Sequence, residues 1–138
     1  MVWQKPIYDT LTNCAALCDE FATECSRSVD GDRWYRSIFL NLDCADVCRQ
    51  LATLYVRKSE NARLLAKTCI DVCEQCAREV QPLTTRRGQQ VYRVCQQAIQ
   101  SCASILAMAH PADVAPNSSI PTPALRFYGV DPRKTLLN

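Results

Sequence analysis

The sequence predicts an all-α chain: an antiparallel up-down-up-down four-helix bundle with a cysteine-lined core and a proline-rich C-terminal arm. Three observations predict it. Glycine is scarce, three in 138 residues, and the seven prolines fall mainly outside the periodic segments. Ten cysteines recur three, four or seven residues apart, as in Cys14/Cys18/Cys25, Cys44/Cys48, Cys69/Cys73/Cys76 and Cys95/Cys102. Residues at those spacings line one stripe of an α-helix. The four stripes are separated by short breaks, and helices joined by short connections fold back on one another.

Each helix follows from its own signals. The first is expected from about Ile7 to Ser28, with Ile7, Leu11, Cys14, Cys18, Phe21 and Cys25 facing inward. Asp30-Gly31-Asp32 stops it, and Asp32 is expected to cap the second helix, about Arg33 to Arg57. That helix presents Ile38, Asn41, Cys44, Cys48, Leu51 and Tyr55. Ser59 is placed to cap the third, about Glu60 to Gln81, whose inner face carries Leu65, Cys69, Cys73, Cys76 and Val80 before Pro82 ends it. Thr84 or Thr85 caps the fourth, about Arg86 to Ala109, showing Tyr92, Cys95, Ala98, Ile99, Cys102, Ile105 and Leu106, with Pro111 as its stop.

Residues 1–110 thus form the bundle and 111–138 the arm, which holds five of the seven prolines yet is apolar at Leu125, Phe127, Tyr128, Val130, Leu136 and Leu137. The arm is expected to be extended and to dock on the bundle or on a neighbouring subunit. With helices alternating in direction, all ten thiols fall between about 10 and 27 Å from the end that holds the start of the first helix. Segments far apart in sequence therefore converge on one central band of sulfur.

Composition bounds the function. A net charge of +2 is too small to imply a nucleic-acid partner or an acidic membrane surface. No apolar stretch approaches the roughly 20 residues of a membrane span. Met1 to Thr10 lacks a charged leader followed by an apolar run, so no signal peptide is expected. The expected compartment is the cytoplasm, where thiols stay reduced.

Ten interior thiols admit few roles. Cysteines four apart on one helix hold their Cβ atoms about 5–6 Å apart, whereas a disulfide needs about 3.8 Å, so any disulfides must cross between helices. A single buried cysteine is an ordinary small hydrophobe; ten on inner stripes are not. All-thiolate sites select soft ions such as Cu(I), or zinc and iron–sulfur clusters. Only Cys73-Glu74-Gln75-Cys76 resembles a zinc knuckle, and it lies mid-helix. The loop-borne spacing of iron–sulfur proteins is missing. Haem attachment needs a histidine at position 77, which is Ala77, and the single histidine, His110, excludes a di-iron bundle. No hydrolytic constellation or phosphate loop is present, so no enzyme activity is expected. Cu(I) accepts low coordination numbers, so two thiolates four apart can clamp one ion and sulfurs can bridge several. Each ion replaces a thiol proton, which avoids unpaired buried charge.

The stretch from Cys44 to Cys76, CADVCRQLATLYVRKSENARLLAKTCIDVCEQC, resembles the copper storage proteins, a cysteine-rich four-helix-bundle family with C-x-x-x-C pairs and a CxxxCxxC run on the third helix. The resemblance spans about residues 8–110. It implies cytosolic storage or buffering of multiple Cu(I) ions per chain, commonly in a homotetramer, with copper ions as the partner and no nucleic acid or membrane. On that reading the metal ligands are Cys14, Cys18, Cys25, Cys44, Cys48, Cys69, Cys73, Cys76, Cys95 and Cys102. By the same resemblance, Met108 and His110 form the mouth through which Cu(I) arrives. Family members often carry a further cysteine on the third helix, where this chain has Val80; Ala98 also stands where a cysteine is expected, so capacity is expected to be lower. Two other readings of the residues stay open: a thiol redox or disulfide-stabilised helical interaction module, and an all-thiolate zinc-binding protein.

Overall fold

Why the chain turns where it does is clearest at the helix ends. A computed structural model of the protein describes residues 4–108. Among the described residues it contains four α-helices and no strand: α1 (Lys5–Ser26), α2 (Tyr35–Val56), α3 (Ala62–Val80) and α4 (Arg86–Ala107). Proline in the first turn, Pro6, starts α1 without a side-chain cap, since its missing N–H has no intrahelical partner there. Thr85 caps α4 as expected, its Oγ1 accepting from the Gly88 N–H at 3.1 Å. Gly88 is required by that turn, because a Cβ there would stand 2.9 Å from Leu83 Cβ.

Two expected caps differ. Asp32 lies within a short 3-10 turn, Gly31–Trp34, and Trp34 precedes α2 with no side-chain cap. Ser59 caps the turn before α3 rather than the helix: its Oγ accepts from Asn61 N–H at 3.2 Å, and its carbonyl from Ala62 N–H at 3.1 Å.

The end of α2 carries the one left-handed non-glycine residue described, Lys58, with φ 57°. Lys58 N–H bonds to Tyr55 O at 3.0 Å and Ser59 N–H to Leu54 O at 3.0 Å, a Schellman cap in which glycine is usual. Lys58→Gly is therefore expected to stabilise the protein by about 1 kcal/mol, because the Cβ–carbonyl clash of the left-handed region is relieved. Urea unfolding measures it, and a lower midpoint would contradict this account of the turn.

Each helix packs on its chain neighbours, and α1 meets α4, so the four close into a ring. A polar tie crosses each contact near the surface: Asp19–Arg49 between α1 and α2, Arg36–Glu79 between α2 and α3, Arg63 to the Leu106 carbonyl between α3 and α4, and Arg87 to Glu20 and Glu24 between α4 and α1. Such exposed ion pairs contribute about 0–1 kcal/mol each, so the interior holds the fold together. That interior is unusually small in its residues. Eight alanines (Ala15, Ala22, Ala45, Ala52, Ala62, Ala66, Ala77 and Ala98) are buried with the ten cysteines. Short side chains let helix backbones approach closely and bring thiols from facing helices into contact.

Larger side chains bracket the sulfur along the helices. Leu11 precedes Cys14, Leu51 and Tyr55 follow Cys48, Ile105 follows Cys102, and Val80 and Val91 lie beyond Cys76 and before Cys95; all are at most 2% exposed. Tyr55 also ties α1 to α2, its hydroxyl accepting from Gln4 N–H at 2.7 Å. The expected stripes are shifted in places. Ile38, Leu65, Tyr92, Ile99 and Leu106 are only partly buried, while Ser37, Ala62, Ala66, Val91 and Val94 take the interior positions. No described helix is long and apolar enough to cross a membrane. The arm assigned to 111–138, Pro111 and His110 lie outside the described residues.

Candidate metal centre

All ten cysteines are free thiols and all are buried. Helix periodicity places them inward, and the ring of four helices decides which meet. Across α2 and α3, Cys44 Sγ lies 3.6 Å from Cys73 Sγ, and Cys48 Sγ lies 3.7 Å from both Cys69 and Cys73. Along α3, Cys69 and Cys73 are 3.8 Å apart. From α2 to α4, Cys44 lies 4.0 Å from Cys95. These separations are non-bonded S–H···S contacts, well beyond a disulfide bond of about 2.05 Å.

Cys14 is the hub. Its sulfur lies within 4.8 Å of those of Cys18, Cys44, Cys48, Cys73 and Cys95. Cys76 is coupled electrostatically to Cys18 and Cys95, and Cys102 to Cys69. Two quartets result in which every sulfur lies within 4.8 Å of the others: Cys14/Cys44/Cys48/Cys73 and Cys14/Cys18/Cys44/Cys95. They share Cys14 and Cys44, so six sulfurs from all four helices form one continuous patch.

Nine of the ten thiols belong to this network. Cys25 does not: it makes none of the sulfur contacts, is 7% exposed, and lines a surface pocket of about 210 Å³ with Phe21, Trp34, Thr85 and Arg87. Burial first, then the Glu24 carboxylate beside it, raises its pKa. Met108 closes the end of α4 and packs partly buried against the core. Val80 and Ala98, the two positions where a cysteine is expected, are both fully buried.

Asn41, one turn before Cys44, is also fully buried. Its Nδ2 donates to the Ser37 carbonyl at 2.8 Å, and its Oδ1 has no hydrogen-bond partner. Ser37, Asn41 and Ser101 are the only buried polar residues described, so no Lys, Arg or His charge stands in the described core.

Electrostatics inside the network follow from that dryness. A sulfur that accepts S–H···S bonds loses its proton more easily, and the donating thiols lose theirs less easily. Cys14, Cys44 and Cys69 are the favoured acceptors, their pKa lowered chiefly by Cys18, Cys14 and Cys102 respectively. Cys18, Cys48, Cys73 and Cys95 are held protonated chiefly by Cys14, and Cys102 by Cys69, with burial adding to each.

The five raised thiols of the network, and Cys25 with them, stabilise the fold below the unfolded thiol pKa of about 8.5, and that contribution is lost as pH rises; the three lowered ones contribute fully above it and change no further. Apoprotein stability is therefore expected to fall above about pH 9, by about 1.4 kcal/mol per pH unit for each thiol kept protonated. Urea unfolding in reductant at pH 8 and pH 10 tests this; an unchanged midpoint would mean that the buried thiols ionise as freely folded as unfolded.

A dry pool of thiols in two quartets, each within 4.8 Å, with no buried cation among the described residues, can exchange protons for soft metal ions at little cost in buried charge. The family model described as copper storage protein matches residues 3–107 of the chain. No curated protein and no solved structure gives a significant match.

Proposed function

The chain belongs to the copper storage protein family, and we propose that its sulfur-lined interior binds and stores several Cu(I) ions. The observation that carries this reading is the contiguity of the six sulfurs in the two quartets, which share an edge and come from all four helices. A thiolate common to two sites can bridge two ions, so neighbouring sites load as a cluster. Each Cu(I) replaces a thiol proton, and a core without buried cations stays near neutral as it fills.

The roles follow. The nine networked cysteines hold the stored ions, and Cys25, at the rim, contacts ions only in passage or at full load. Met108, at the end of α4, and His110 beyond it receive Cu(I) at the mouth. The bundle runs up-down-up-down. Cys44 facing Cys73 while Cys48 faces Cys69 supports opposed directions for α2 and α3. The Gln4–Tyr55 bond supports the same for α1 and α2. The protein acts by binding and not by catalysis, within residues 1–110, with 111–138 as a docking arm, as a homo-oligomer in the cytoplasm. A site made wholly of reduced thiols favours such a reducing compartment.

Affinity is expected to fall as pH drops, because each bond to a thiol held protonated releases a proton; one proton per ion gives about a tenfold loss per pH unit. The proposal is tested by loading reduced full-length chain with Cu(I) anaerobically and passing it through gel filtration. Copper is expected to co-elute at two or more ions per chain, and prior alkylation in denaturant followed by refolding is expected to abolish this. Equal copper after alkylation would refute a thiol site.

A further inference from the structure

In sequence, the absence of paired loop knuckles counts against zinc; the tertiary structure supplies a quartet that no single helix contains. Cys14 comes from α1, Cys44 and Cys48 from α2, and Cys73 from α3. All four sulfurs lie within 4.8 Å of one another, with measured edges of 3.6 Å for Cys44–Cys73 and 3.7 Å for Cys48–Cys73. A tetrahedral ion with Zn–S bonds of about 2.3 Å needs S···S edges of about 3.8 Å. Two edges, both at Cys73, already match that spacing, and the other four, within 4.8 Å, need to close by at most about 1 Å. The other quartet has one short edge, 4.0 Å for Cys44–Cys95, and it cannot be filled independently because it uses Cys14 and Cys44 as well.

We propose that Cys14, Cys44, Cys48 and Cys73 form a specific site for one divalent tetrahedral ion of the zinc class per chain. This rests on the reading of the thiol network as a metal site, and adds to it a second kind of cargo with its own limit. Binding sets one divalent ion among four thiolates, releases to solvent the protons that these thiols still carry, and leaves two net negative charges on the tetrathiolate. The described core holds no buried Lys, Arg or His to offset them. A second divalent ion would have to share the Cys14–Cys44 edge and add further buried charge, so loading stops at one. Monovalent Cu(I), exchanged one for one with protons, meets no such limit. Charge balance, and not the number of sulfurs, then sets capacity for each ion.

The test is anaerobic titration of reduced full-length protein with Co2+, the spectroscopic stand-in for zinc. The ligand-field bands of a tetrahedral tetrathiolate are expected to saturate at one Co2+ per chain and to vanish when one equivalent of Zn2+ is added. Cys48→Ala and Cys73→Ala are expected to lose that spectrum, while Cys18→Ala and Cys95→Ala keep it. Circular dichroism confirms that each variant is helical. Cadmium NMR of the wild type is expected to give a single tetrathiolate resonance, which tests the site without any variant. Saturation at two or more ions, or a spectrum that survives Cys73→Ala and is lost in Cys95→Ala, would overturn the assignment. A chain that binds Cu(I) but gives no tetrathiolate spectrum overturns this proposal alone; one that binds neither overturns the copper reading with it.

Discussion

Loading the reduced protein with Cu(I) is expected to raise its thermal midpoint by about 30 °C or more. A ligand that binds only the folded state stabilises it by about 4 kcal/mol per site at a thousandfold excess over its dissociation constant, and a bundle of this size gains about 4 °C or more per kcal/mol. Two ions already reach that figure, and the sulfur network holds two overlapping quartets. The effect is large because the apo core is weak for its size. Its central band is cysteine and alanine, and neither buries the area of a leucine. The ions would join α1, α2, α3 and α4 through bonds that the unfolded chain cannot make together. Scanning calorimetry on apo and loaded protein, both under reductant, measures the shift. A change of only a few degrees would mean that the ions bind at the surface or bind the unfolded chain equally well.

Removing one sulfur at the hub is expected to cost far more copper affinity than removing one at the rim. Cys44 belongs to both quartets and touches Cys73 and Cys95 directly, so Cys44→Ala opens each quartet at once. Loss of a direct ligand exceeds the 10–100-fold typical of losing a supporting contact, so the first ions are expected to bind at least about 100-fold more weakly. The apoprotein itself should suffer little, since exchanging a thiol for hydrogen in a buried methylene leaves a cavity costing about 1 kcal/mol. Cys25→Ala is the matched control, since Cys25 is buried yet outside the network, and its loss is expected to leave affinity for the first ions unchanged. Competition with a Cu(I) chelator gives both values. Equal losses from the two variants would contradict the division into hub and rim.

How much of this is legible in the sequence depends on the physical scale of each feature. The four thiol stripes are legible because a helix repeats every 3.6 residues, and spacings of three, four and seven fix one face. The Thr85 cap is legible for a similarly local reason: the hydroxyl reaches Gly88 within one turn. Asp32 is misplaced because a 3-10 turn intervenes between the loop and α2, and that turn depends on how Trp34 packs against the core. The flanks of the stripes are ambiguous where apolar residues lie on two adjacent faces. Leu65 and Tyr92 are the larger side chains, but close helix approach favours Ala62, Ala66 and Val91 inside.

The candidate site is legible only as a band. Rise per residue along each helix places Cys25 at the edge of that band, but cannot show that its neighbours there are Phe21, Trp34 and Arg87 and not other sulfurs. Nor can it choose Cys14 and Cys44 as the hub, because that depends on the register among the four helices. Asn41 is a further case. Its burial follows from the α2 stripe, whereas its unpartnered Oδ1 follows from what the neighbouring helices fail to offer it.

The most direct test of the central claim is the number of Cu(I) ions bound per chain in an anaerobic titration of fully reduced protein against a competing Cu(I) chelator. Tight binding of two or more ions per chain, rising with pH, is expected before the chelator takes up copper. Fewer than two ions per chain would contradict it.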